Sequence, residues 1–296
     1  MQNRREFLNA VGNGALALAA PWPALADETI RSRPLPGSEE TLPVVGLGNS
    51  VVFRSDDTAA ARELLGLFHR HGGRYVDCMG SGRFHVAGAV REIGLGEALF
   101  LGDYFNNDDE AAMRDNVHRL LELSGKQQLD LVQAYPGYAD YDRKLFRRWR
   151  EEGLTRHVGV ARHTSSAYPA MMQLMQAGDV DFVQVNYSPL ETQAEQHLLP
   201  LAQDLGIAVT INRPFMNGAY FGLVRGHELP PWAAEFDCES WAQFALKFIV
   251  SHPAVNCVLT ETANPHHAID NLGAGLGALP DEAMRQRIVA HLKGLA

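Results

Sequence analysis

The chain has 296 residues, 46% hydrophobic and 21% charged, the balance of an ordinary globular protein. Its net charge of -9, with only four lysines, excludes a nucleic-acid surface, which needs clustered basic side chains. Three scattered cysteines, Cys78, Cys238 and Cys257, form no CxxC pair, which argues against a zinc site or a dense disulfide framework.

In chain order, residues 1–26 come first. They have a positively charged start, a short apolar middle and an Ala24-Leu25-Ala26 end, the plan of a cleaved export signal. Asn3-Arg4-Arg5-Glu6-Phe7-Leu8 resembles a twin-arginine signal, so the expected mature protein starts at Asp27 and is periplasmic. No stretch is long and apolar enough to span a bilayer.

From Leu42 onward, short apolar runs alternate with segments of helical period. Expected strands are Leu42 to Gly48, Arg74 to Cys78, Ala98 to Tyr104, Leu129 to Tyr135, His157 to His163, Val180 to Tyr187, Ile207 to Pro214 and Asn256 to Thr262. Between them fall expected helices at Thr58 to His71, Glu110 to Leu123, Asp142 to Glu152, Ala167 to Ala177, Gln193 to Leu205 and Trp241 to Ser251. A helical segment also follows the glycine-rich loop after Asp77, and a last helix begins near Asp281. Eight strands alternating with helices predict an α/β fold, a single-domain (β/α)8 TIM barrel over residues 27–296. A doubly wound open sheet is the alternative, but Gly46-Leu47-Gly48 is not its GxGxxG phosphate turn.

In such a barrel the chemistry sits at the C-terminal strand ends. Those positions hold Asn49, Asp77, Asp103, Tyr104, Tyr135, Arg162, His163, Gln184, Asn186, Asn212, Arg213, Thr260 and Glu261, a polar cleft suited to a small-molecule ligand. There is no G-x-S-x-G nucleophile elbow, and no histidine in Leu47-Gly48-Asn49-Ser50-Val51 for a metal hydrolase. His266-His267 is expected to open a helix rather than hold a metal. Asp77, Asp103 and Glu261 offer carboxylates for hydrolase or lyase chemistry, with nothing in the spacing to pair them.

The segments TLPVVGLGNSVVF, RYVDC, LDLVQAY, EEGLTRHVGVARHT, VDFVQVNYSPL, INRPF and WAQFALKFIVSHPAVNCVLTETANPHHAIDN resemble, in order and spacing, the aldo/keto reductases, specifically an exported bacterial branch. The resemblance runs from about Leu42 to the C-terminus. It implies a barrel binding NADPH at its mouth, with an Asp, Tyr, Lys and His tetrad that delivers a proton to a carbonyl as hydride arrives. Asp77 matches the aspartate. The tyrosine position is Gly82, the lysine position Tyr104 and the histidine position Tyr135, so three of the four residues differ.

For the cofactor, the resemblance implies Gln184 at the nicotinamide amide and Asn271 on the adenine side, with Asp270 in place of Glu and His267 in place of Arg. Thr262 keeps a hydroxyl near the 2′-phosphate, and Arg213 is a further cofactor-side cation. Glu261 stands where the family has Lys or Gly, and a carboxylate there repels a phosphate.

Three functions are open to this residue set. One is a pseudoenzyme or ligand-binding barrel. Another is a divergent NAD(P)H-dependent reductase with Tyr104 or Tyr135 as proton donor. The last is new acid–base chemistry from Asp77, Asp103, Glu261, Arg162, Arg213 and His163.

Overall fold

The computed structural model describes residues 29–48, 51–54, 58–78, 82–105, 109–134 and 144–295. Two short antiparallel strands, β1 (Ser32–Pro34) and β2 (Thr41–Pro43), form a hairpin. Eight parallel strands follow: β3 (Val45–Leu47), β4 (Tyr75–Asp77), β5 (Phe100–Phe105), β6 (Leu129–Ala134), β7 (Thr155–Ala161), β8 (Phe182–Asn186), β9 (Ala208–Asn212) and β10 (Cys257–Thr260). They pair in chain order, and β10 closes the ring on β3 through Val258↔Val45 and Thr260↔Leu47. This is the expected (β/α)8 barrel.

Side chains alternate across a strand, so every second residue faces the interior. Tyr75, Phe100, Leu131, Phe182, Ala208, Cys257 and Leu259 form one buried interior cluster, joined by Leu35 and Leu42 of the hairpin. The opposite faces of the strands pack on the surrounding helices in two larger clusters, one of them around Trp149, Phe105 and Met113.

Two expectations need correction. The apolar run Leu42 to Gly48 is not one strand. Thr41–Pro43 belongs to the hairpin that plugs the barrel, and only Val45–Leu47 enters the ring. Gln193 to Leu205 is not one helix. A 3-10 turn, Gln193–Gln196, and a helix, Leu198–Leu205, meet at His197, whose φ of -144° lies outside the helical range. The other expected strands and helices are found with shifts of a few residues at their ends, and the segment after Asp77 is the helix Arg83–Glu92. The expected signal segment 1–26 lies outside the described residues.

Candidate functional site

Two residues beyond the apolar interior layer, the strands turn polar. Tyr75 is followed on the same face by Asp77, Leu131 by Gln133, and Phe182 by Gln184. These side chains are buried and bonded in series: Gln133 Nε2 donates to Gln184 Oε1 at 3.0 Å, and Gln184 Nε2 donates to Asp77 Oδ2 at 3.3 Å. Burying three polar side chains inside a barrel is tolerable only with such pairing.

Above this layer lies a cleft of about 300 Å³. Asp77, Gln184, Tyr104, Ala161 and Leu259 line it, with Arg54, Arg162, His163, Asn212, Arg213, Asn217 and Glu261 around them. Its size is at the lower end for a small-molecule site.

The β9 side of the cleft is built from a strained turn. Arg213, Met216 and Asn217 have φ of 51°, 52° and 54°, the left-handed region that ordinary side chains avoid. Arg213 is held there by Nε donating to Asn217 Oδ1 at 3.1 Å and Nη1 donating to the His163 carbonyl at 2.9 Å. Asn212 Nδ2 donates to the Arg162 carbonyl at 3.0 Å, and its Oδ1 is buried without a hydrogen-bond partner.

The electrostatics follow from burial and from these arginines. Desolvation, reinforced by Arg213 and Arg162, holds the His163 imidazole below its usual pKa, so it is neutral at pH 7. Glu261 is exposed overall. Even so, its carboxyl is pushed above the usual range by desolvation, with Arg54 acting in the opposite direction. Burial likewise pushes the Cys78 thiol far up, which removes it as a thiolate nucleophile.

Asp103 departs from the expected placement. It faces away from the barrel interior, fully buried, and its Oδ2 lies 3.2 Å from Arg83 Nε. Its Oδ1 accepts from the Tyr104 amide at 2.8 Å. It is therefore absent from the cleft lining. The cause is the two-residue period of a strand: Tyr104 faces in, so its neighbour must face out.

The structure brings Asp77, Tyr104, Gln184 and Arg213 to one cleft. Tyr135 and Asn49 lie outside the described residues. Thr262, His267 and Asn271 sit elsewhere, before and along the helix Pro265–Gly273 that follows β10. Thr262 Oγ1 accepts from the Asn264 amide at 3.0 Å, His267 is exposed, and Asn271 is buried. Asp270 is turned away to the preceding helix, accepting from Ser240 Oγ at 2.7 Å and Gln243 Nε2 at 2.8 Å. Gln133 was missed from sequence. Its signal was a lone amide in the apolar run Leu129 to Ala134, one inward position before the strand end. Arg54 and Asn217 were also missed, because both sit in turns beyond the strand ends.

Comparison with known proteins adds relatives to this geometry. An aldo-keto reductase from Klebsiella pneumoniae in complex with NADPH superposes with a TM-score of 0.73 at 20% identity, covering 90% of this chain and 95% of that one. Aldo-keto reductase AKR11C1 from Bacillus halodurans (holo form) gives 0.72 at 18% identity, covering 90% and 96%. At such identities these likenesses speak to the fold alone. NADH-specific methylglyoxal reductase of Escherichia coli (strain K12) is 31% identical over 81 residues, 27% of this chain, and the chain spans only 24% of that enzyme's length. The description of the aldo/keto reductase family matches residues 106–292, well over half of the chain. With the closed eight-stranded barrel, that match makes the chain a member of the aldo/keto reductase family.

Proposed function

We propose that this protein is an exported family member that has left standard NADPH-dependent carbonyl reduction and uses its barrel mouth to bind a small polar ligand. The observation that carries this reading is Gly82, five residues after Asp77, where the family resemblance calls for the proton-donating tyrosine. A Cβ added to Gly82 would stand 2.5 Å from the Phe53 carbonyl oxygen, so the backbone there leaves no room for any side chain. No tyrosine occurs in the sequence between Tyr75 and Tyr104.

The residues at the cofactor positions also fit NADPH poorly. Gln184 has both ends of its amide engaged, by Gln133 and Asp77, rather than turned to a ligand amide. Asp270 is engaged by Ser240 and Gln243. Glu261 presents a carboxylate where a 2′-phosphate would approach.

A titration of the purified full chain with NADPH and NADH, by calorimetry and cofactor fluorescence, tests the reading. Silence up to ~1 mM is expected. Micromolar binding would sink it.

A second reading is favoured by Tyr104, which lines the cleft beside Asp77 and could donate a proton in a divergent NAD(P)H-dependent reductase. It requires cofactor oxidation with aldehydes, ketones or quinones that Tyr104→Phe abolishes. For the export signal, a reporter fused to residues 1–26 should reach the periplasm, and replacing Arg4 and Arg5 by Lys should stop it.

A further inference from the structure

The charges around the cleft are sorted by side. Basic groups come from the ends of β7 and β9, where Arg162 and Arg213 flank His163. Acidic groups come from β4 and from beyond β10, as Asp77 and Glu261, and Arg54 offsets Glu261.

Arg213 is the group built most deliberately into this arrangement. Its backbone is held in the left-handed region, and the two acceptors it donates to, the His163 carbonyl and Asn217 Oδ1, are both neutral. Among the described residues it has no ion pair. A guanidinium has five N–H donors in a fixed fork, and two hydrogen bonds leave the rest of that fork for an anion. Arginine forks match carboxylates in two parallel bonds. The imidazole of His163, neutral for the reasons given above, adds a hydrogen bond at the rim without adding charge.

Asp77 and Asn212 present the opposite chemistry. Asp77 carries acceptor oxygens at the base of the cleft, one of them receiving Gln184. Asn212 Oδ1 is a buried acceptor without a partner. Acceptors call for a ligand donor, and a carboxylate at this depth repels a second carboxylate.

From this polarity, and resting on the reading above that the cleft holds a ligand other than NADPH, we infer that the protein binds a small hydroxy-monocarboxylate. The ligand carboxylate sits on Arg213 beside Arg162, and its hydroxyl points to the acceptors Asp77 and Asn212. A dicarboxylate would set its second charge against Asp77, and a neutral diol would leave Arg213 unmatched.

The test is calorimetric titration and thermal melting of the full chain with lactate, using succinate, inorganic phosphate and propane-1,2-diol as contrasts. Lactate is expected to bind and raise the melting midpoint, with each contrast at least ~10-fold weaker. Arg213→Gln is expected to weaken lactate by about tenfold or more, the loss of a charge-assisted pair. Should that variant fail to fold, Asp77→Asn serves instead: it should narrow the preference for lactate over succinate.

No lactate heat at ~10 mM overturns the inference. So does phosphate or succinate binding as tightly as lactate, or lactate affinity unchanged in Arg213→Gln. The cofactor titration run in parallel separates the two claims. If neither lactate nor cofactor binds, this inference falls alone. If NADPH binds and lactate does not, the reading of the cleft falls with it.

Discussion

An added methyl group at Gly82 would meet Phe53 O at 2.5 Å, Phe53 C at 2.9 Å and Phe53 Cβ at 2.9 Å, two backbone atoms and one next to the backbone. Gly82→Ala is therefore expected to destabilise the protein by about 1–3 kcal/mol, the usual cost of overpacking. Urea denaturation measures it, and a variant as stable as the parent would show that this contact gives way freely. Asp103 makes a second prediction at this scale. Burial pushes its carboxyl up to about 8, with Asp77 adding to the rise and Arg83 and the Tyr104 amide opposing it. The folded state thus keeps a proton that the unfolded chain releases near 3.8. The stability contributed is complete below 3.8 and is lost as pH rises towards 8. Asp103→Asn, always neutral, should flatten the fall in melting midpoint across that window. A variant whose pH profile runs parallel to the parent's would reject this assignment.

Single side chains also bind whole elements together. Arg33 of β1 donates to the carbonyls of Val250 at 2.7 Å, His252 at 2.6 Å, Pro253 at 3.0 Å and Val255 at 2.5 Å. These lie at and just beyond the end of the helix Trp241–Ser251, where carbonyls lack helical partners and a cation is favoured. One residue so closes both that helix end and the hairpin below the barrel. Arg33→Met should cost about 2–3 kcal/mol, because it strips charge-assisted bonds and leaves carbonyls unpaired. A chevron or equilibrium denaturation curve that does not move would show water replacing the guanidinium at no loss. Lys247 acts similarly from inside the same helix: it is fully buried, and Nζ donates to the carbonyls of Leu276 at 2.6 Å and Ala278 at 3.0 Å.

For the molecule as a whole, two half-buried histidines contribute to the response to acid. His157 stands between Phe100 and Phe182, with ring centroids at 6.1 Å and 5.3 Å, and desolvation lowers its pKa. His252 is lowered to about 4, first by desolvation and then by Arg285 and Arg33. The unfolded chain takes up protons from about 6.5 downward that these folded rings refuse. The contribution of His252 is present above 6.5 and is lost as pH falls through the window to about 4, and that of His157 has the same sign. His252→Gln should therefore soften acid destabilisation between pH 6.5 and 4, read as the difference in melting midpoint from the parent. The comparison must be made as a difference, because Asp103 works in the opposite sense over the whole of that range. An unchanged acid limb would mean that His252 is protonated in the fold.

The alternation of apolar runs and helical segments was enough to determine the barrel, because burial on both faces imposes continuous apolar strands and eight such units close on themselves. The sequence likewise carried Asp77, Tyr104, Gln184 and Arg213 to the mouth, since each lies in the C-terminal half of a strand or directly after it. It could not assign Asp103, whose direction depends on which of two neighbours starts the inward period. Nor could it divide Leu42 to Gly48, where Thr41–Pro43 pairs with Ser32–Pro34 and only tertiary pairing distinguishes plug from ring. The bonds among Gln133, Gln184 and Asp77 join residues 51 and 107 positions apart. The lack of room at Gly82 comes from the backbone of Phe53, 29 residues earlier. Contacts so distant in sequence leave no local pattern, so closure of the chain into a barrel had to decide them.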